Sequence, residues 1–208
     1  MTDPLDLAEL LASHLCHELV GSVGAVVNGM EVLEESGDDP AVRDEAVALV
    51  GASAAEASAR LQFFRLAFGT AGGAGEISLG EAARLAAGRF ATGRVRLDWS
   101  PPGRHVPKDL ARTVLNLVLV AADALPRGGA VRVVVDVEAG GADIVAEGEG
   151  AALPDFHAAA LGLGPPADDL PPRAAPAFLA RELARAASKT IRIETKAGRL
   201  ALGLRAGI

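Results

Sequence analysis

The residues best equipped for chemistry stand near the start of the chain, in Leu11-Ala12-Ser13-His14-Leu15-Cys16-His17-Glu18-Leu19-Val20-Gly21-Ser22-Val23-Gly24. A neutral imidazole is a good nucleophile towards phosphorus, and an unperturbed histidine is largely neutral near neutral pH. A carboxylate next in the chain can take or orient the proton on the second ring nitrogen. The product, an N-phosphorylated imidazole, keeps a high transfer potential and can pass its phosphoryl group onward. Such chemistry asks the protein for little beyond exposure, orientation and a surface for the donor. His17 and Glu18 are the candidate catalytic pair. A zinc site is not expected, because His14 and His17 at i, i+3 would leave a metal open and no further donors cluster with them. His105 and His157 fall in expected loops without partners, and Cys16 is expected to fill core space.

The helix that carries this pair must present it outward. At about 100° per residue, Leu7, Leu11, Leu15, Leu19, Val23, Val26, Met30 and Leu33 form one stripe, and His17 lies opposite its centre. Around His17 on that outward face are Leu10, Ser13, Val20, Gly21, Gly24 and Asn28. A solvated face is normally charged, whereas this one is small and apolar. Glycine inside a helix costs about 1 kcal/mol relative to alanine, and Gly21, Gly24 and Gly29 are all assigned here. Close approach of another protein's backbone would offset that cost.

Two halves of the chain follow different patterns. Asp3-Pro4 reads as a cap and first helical residue, and the helical pattern runs to Glu35. Ser36-Gly37-Asp38-Asp39-Pro40 then ends one helix and starts another, which continues to about Phe68 before Gly69-Thr70-Ala71-Gly72-Gly73-Ala74-Gly75. Residues 1–70 are therefore expected to form a helical hairpin. Alone it cannot cover its apolar stripe, and a second copy would complete a four-helix bundle around a twofold axis. Residues 76–208 read as helix 79–90, strand 94–99, helix 107–125, strands 130–137 and 142–147, a Gly/Pro-rich stretch, helix 176–187, and strands 190–195 and 200–204. The expected class is α+β, with the hairpin followed by an α/β sandwich.

Composition excludes several alternatives. The chain has 208 residues and a net charge of −7, unlike the basic field of a nucleic-acid binder. One cysteine excludes an intramolecular disulfide framework. With a mean hydropathy of +0.28 and no apolar run judged long enough to span a membrane, a cytoplasmic protein without membrane contact is expected.

His17-Glu18-Leu19 followed by Gly21-Ser22-Val23 resembles the H-box of histidine kinases, carried on the first helix of a dimerising hairpin. The run from Leu15 to Val26, followed by Asn28-Gly29, is more closely similar to the histidine phosphotransferase ChpT family. Ser22 stands where that family commonly has proline. The second half resembles the Bergerat ATP-binding fold, with Thr113 to Gly129 similar to its N-box helix and exit turn. The resemblance also marks departures. Val120 stands in place of the asparagine that holds magnesium, and Ala146 in place of the adenine-binding aspartate. Pro172-Arg173-Ala174-Ala175-Pro176-Ala177 replaces the glycine-rich phosphate loop. Alkyl groups cannot ligate a hard cation or accept from adenine, and prolines cannot wrap phosphates with amides.

The resemblance implies a homodimeric phosphotransferase that uses no ATP and has no cofactor of its own. It would relay phosphoryl groups from the receiver domain of a hybrid histidine kinase to cell-cycle response regulators, with magnesium supplied by the receiver. The receiver would dock on Ser13, Val20, Gly21 and Gly24, and on Phe63 and Phe64 of the second helix. The alternatives are an ATP-dependent histidine kinase without a sensor, and a non-enzymatic scaffold or inhibitor imitating the bundle.

Overall fold

The computed structural model describes residues 4–35, 39–69, 75–163 and 170–207. Proline opens both long helices. α1 spans Pro4–Glu35 and α2 spans Pro40–Ala67, lengths of about 48 and 42 Å at 1.5 Å per residue. The Asp39 carboxylate accepts from the backbone N–H groups of Ala41 at 3.0 Å and Val42 at 3.5 Å. Pro40 follows where no N–H is needed. Asp3, the expected helix break at Ser36-Gly37-Asp38 and the stretch from Thr70 to Ala74 lie outside the described residues. The two helices meet closely at Gly29, where a β-carbon would sit 2.6 Å from Cγ2 of Val50. Gly29 therefore belongs to the inner face of the hairpin, not to the outward face to which its neighbours Gly21 and Gly24 had led.

The remainder runs β1 (Glu76–Ser78), α3 (Leu79–Arg89), β2 (Val95–Asp98), β3 (His105–Pro107), α4 (Lys108–Asp123), β4 (Gly129–Asp136) and β5 (Gly141–Glu147). It continues with α5 (Asp155–Ala160), a 3-10 turn at Pro172–Ala174, α6 (Ala175–Ala186), β6 (Lys189–Lys196) and β7 (Arg199–Ala206). Five strands form one sheet in the order β2-β4-β5-β7-β6, parallel only between β2 and β4. Alternation decides its faces: Val131, Val133 and Val135 point inward while Arg132, Val134 and Asp136 face water. Val133, Ile144, Leu202 and Ile193 lie side by side across four strands. α4 and α6 cover this inner face, which makes the expected two-layer sandwich. β1 and β3 pair separately, with Ile77 against Val106.

The hairpin and sandwich share a core. Phe63 and Phe64 pack with Ala67, Ala86, Leu115 and Leu119, and are only 0% and 2% exposed. This corrects their expected place on the receiver's docking surface, because both rings are buried against α3 and α4. The end of α2 is fastened by α4. Asn116 donates to the carbonyl of Ala67 at 2.9 Å, and Arg112 donates to that of Phe68 at 3.3 Å. These are last-turn carbonyls that lack helical partners of their own.

Beyond this junction the hairpin is apolar and uncovered. Val20 is 68% exposed, and Val23, Val27, Met30, Val47 and Leu49 are exposed as well. Cys16 is exposed rather than filling core space. The segment Leu5–Glu35 has a mean hydropathy of 1.4 over its most apolar window, long and apolar enough to cross a membrane by length and composition. This corrects the expectation that no run reaches that length. The leucines, valines and alanines between Leu10 and Met30 raise the average despite His14, His17 and Glu18.

Candidate functional site

His17 is exposed near the middle of α1. Residues four before it, and three, four and seven after it, share its helical face. Ser13, Val20 and Gly21 are exposed there and Gly24 is half-buried. A β-carbon on Gly21 or Gly24 would meet no atom within 4 Å. Packing within the chain therefore explains neither glycine, although each costs α1 about 1 kcal/mol. The structure gathers these five residues into one open face and places Phe63 and Phe64 elsewhere.

Glu18 turns inward. Its Oε2 accepts from Nη2 of Arg89 at 2.5 Å and from Nη1 of Arg60 at 3.5 Å. Nη1 of Arg60 also donates to the Glu18 backbone carbonyl at 2.6 Å, and Nη2 donates to Glu56 at 2.6 Å. The hydrogen bond from Arg60 holds the Glu56 carboxyl below its ordinary range. Burial pushes the Arg89 guanidinium down, against the opposing charge of Glu18. Among the described residues no hydrogen bond joins Glu18 to the His17 ring. Sequence reading missed both arginines: Arg60 shows only an i, i+4 glutamate, and Arg89 looks like an ordinary last-turn cation. Their shared partner lies 42 and 71 residues away.

His14 lies one turn before His17 on the flank packed against α2. It is 5% exposed, with the rings of Phe64 and Phe68 each 5.7 Å away and edge-on. Neither ring nitrogen has a hydrogen-bond partner. Burial lowers its pKa, outweighing the carboxylates of Glu18 and Asp123.

Val120 and Ala146 are fully buried alkyl groups, and Pro176 is the second residue of α6. At the end of α4, Asp123 bonds His157 Nε2 and Arg173, each at 3.0 Å. Burial alone would raise the Asp123 carboxyl, but these two partners pull it below its ordinary range. His157, expected in a loop without a partner, is thus a buried residue of α5.

Residues 79–199 match the family described as "Histidine phosphotransferase C-terminal domain". Protein phosphotransferase ChpT of Brucella abortus (strain 2308) is 43% identical over 130 residues, which are 62% of this chain. The match spans 60% of that curated relative's length. A solved bacterial phosphotransferase is 31% identical and superimposes with a TM-score of 0.86, covering 99% of this chain and 98% of the other. The histidine kinase AdeS of Acinetobacter baumannii aligns with a TM-score of 0.47 at 12% identity, covering 92% of this chain and 97% of that one.

Proposed function

This chain belongs to the histidine phosphotransferase family, and from that premise we propose that it relays a phosphoryl group between receiver-domain aspartates through His17. The carrying observation is an exposed imidazole on a face kept free of side-chain bulk by Gly21 and Gly24. A ring nitrogen of His17, in its neutral form, attacks the phosphorus of an aspartyl phosphate. The N–P bond forms as the P–O bond to the acyl oxygen breaks, and the donor aspartate leaves as carboxylate. The other ring nitrogen keeps its proton. The same step in reverse on a second receiver's aspartate returns His17 to its starting state.

The receiver docks over Ser13, Val20, Gly21 and Gly24 and brings its own magnesium. A second copy of the chain covers Val23, Val27 and Met30 and closes the groove of about 660 Å³ lined by Ala8, Leu11, Leu15, Leu61 and Phe68. The resulting four-helix bundle leaves both His17 faces outward and removes the apolar surface that would otherwise suit a membrane, as befits a cytoplasmic protein. ATP takes no part, for want of oxygen donors at Val120 and Ala146. The upstream partner is a hybrid histidine kinase, and the downstream partners are response regulators of the cell cycle.

Incubation with a receiver domain carrying radiolabelled phosphoaspartate tests this directly. Acid-labile label should appear on the wild-type chain and be absent from His17→Gln. Label arriving from Mg-ATP alone, or retained by His17→Gln, would overturn the proposal.

A further inference from the structure

The acid beside the phosphoacceptor is held by the other half of the molecule. Arg89, in the last turn of α3, is largely buried and donates to Oε2 of Glu18 at 2.5 Å. Its Nε has no acceptor, so Glu18 carries the compensation of this guanidinium. Removing a guanidinium from water is costly unless a carboxylate meets it in good geometry. Arg60 of α2 grips the same residue twice, through the carboxylate and through the backbone carbonyl. Glu56 then holds Arg60, and Thr92, just beyond α3, donates to Glu56 at 3.4 Å. The chain of partners leaves α3, crosses α1 at the residue next to His17, passes through α2 and returns beside α3. Charge balances within it, with two guanidiniums against two carboxylates.

We infer that Arg89 is a positioning residue for phosphotransfer, acting through Glu18. The pair fixes how α1 is rotated against α2 and α3, and so fixes the direction in which His17 meets the incoming phosphorus. Glu18 lies about 100° around the helix from His17, so a carboxylate tied to α3 sets the presentation of the imidazole without touching it. The sandwich is thereby part of the transfer machinery, although it supplies no reacting atom. This inference rests on the phosphotransfer reading above.

Single-turnover transfer from a phosphorylated receiver to Arg89→Met, Arg89→Lys, Glu18→Gln and the double variant Glu18→Gln/Arg89→Met tests it. Arg89→Met should lower the maximal transfer rate by about 10- to 100-fold, the scale of a small misplacement at a reacting centre. The receiver concentration at half-saturation should change less than about twofold, because the docking face is intact. Arg89→Lys should recover part of the rate. The double variant should be no slower than Glu18→Gln alone, the non-additivity expected of residues acting in series. Independent effects in the double variant, or a change confined to half-saturation, would overturn the inference. The His17 ring resonances, read by NMR of the isolated chain, should move in Arg89→Met and move no further in the double variant; unmoved resonances also overturn it. Failure of the wild-type chain to accept label would instead sink the phosphotransfer reading, and the NMR comparison would still decide the coupling.

Discussion

Acid should loosen the junction between hairpin and sandwich through one residue, His14. Its imidazole lies edge-on against the stacked rings of Phe64 and Phe68 with neither nitrogen bonded, and burial lowers its pKa below the ordinary 6.5. The facing charges are Glu18 and Asp123, which favour the proton, and Arg89 and His17, which oppose it. In the unfolded chain the same imidazole takes up its proton at the ordinary value. Below pH 6.5 the unfolded state therefore binds more protons, and folding stability declines as pH falls towards the depressed folded-state value. One proton sets the limit: the loss cannot exceed about 1.4 kcal/mol per pH unit, a factor of about ten in the folding equilibrium. Urea denaturation of the wild type and His14→Leu, at fixed protein concentration from about pH 7.5 to about pH 5.5, measures it. The wild-type curve should fall away from the variant's by up to that slope below pH 6.5, and run parallel to it above. Curves parallel throughout would refute the reasoning, since they would mean that His14 finds a partner for its proton in the folded state.

Phe64→Ala should cost about 3–5 kcal/mol of stability, as for a buried aromatic ring removed from a core, while receiver affinity in calorimetry stays within about twofold. Gly21→Ala should raise thermal stability by up to about 1 kcal/mol, because its β-carbon meets nothing within the chain. Gly24→Arg should raise the melting temperature slightly, since its β-carbon also meets nothing within the chain, yet weaken receiver binding by at least about tenfold, a steric effect at the docking face read by titration. Val27→Asp, on the exposed apolar side of α1, should shift sedimentation from dimer to monomer, since an unpaired charge at the centre of such an interface costs several kcal/mol.

Local signals told most of the fold. Pro40 and Asp39 mark the start of α2 because capping is decided within three residues. The alternation in β4 is visible because one face of the sheet meets water. Helical periodicity places His17 outward and gathers Ser13, Val20, Gly21 and Gly24 around it. What escaped notice depends on contacts distant in sequence. β1 and β3 have three residues each and exist only through pairing with one another. The turn of α5 is stabilised by His157 reaching Asp123, 34 residues earlier. Phe63 and Phe64 were expected to meet the receiver; the end of α2 is instead packed against α3 and α4, through Ala86, Leu115 and Leu119. Gly29 resembled Gly21 and Gly24 in type but lies against Val50. The clasp of Arg60 and Arg89 on Glu18 needs three helices brought together, and no window of sequence contains it.

The hydrogen bonds from Asn116 and Arg112 to the last carbonyls of α2 bear on how small a working protein could be made. Cutting the chain after the hairpin would strip those carbonyls of their donors and lay Phe63 and Phe64 open to solvent. A truncated hairpin would be expected to fray from that end and clump, however intact its histidine. The α/β half of the molecule is thus the stopper of the hairpin, and the end of α2 depends on it.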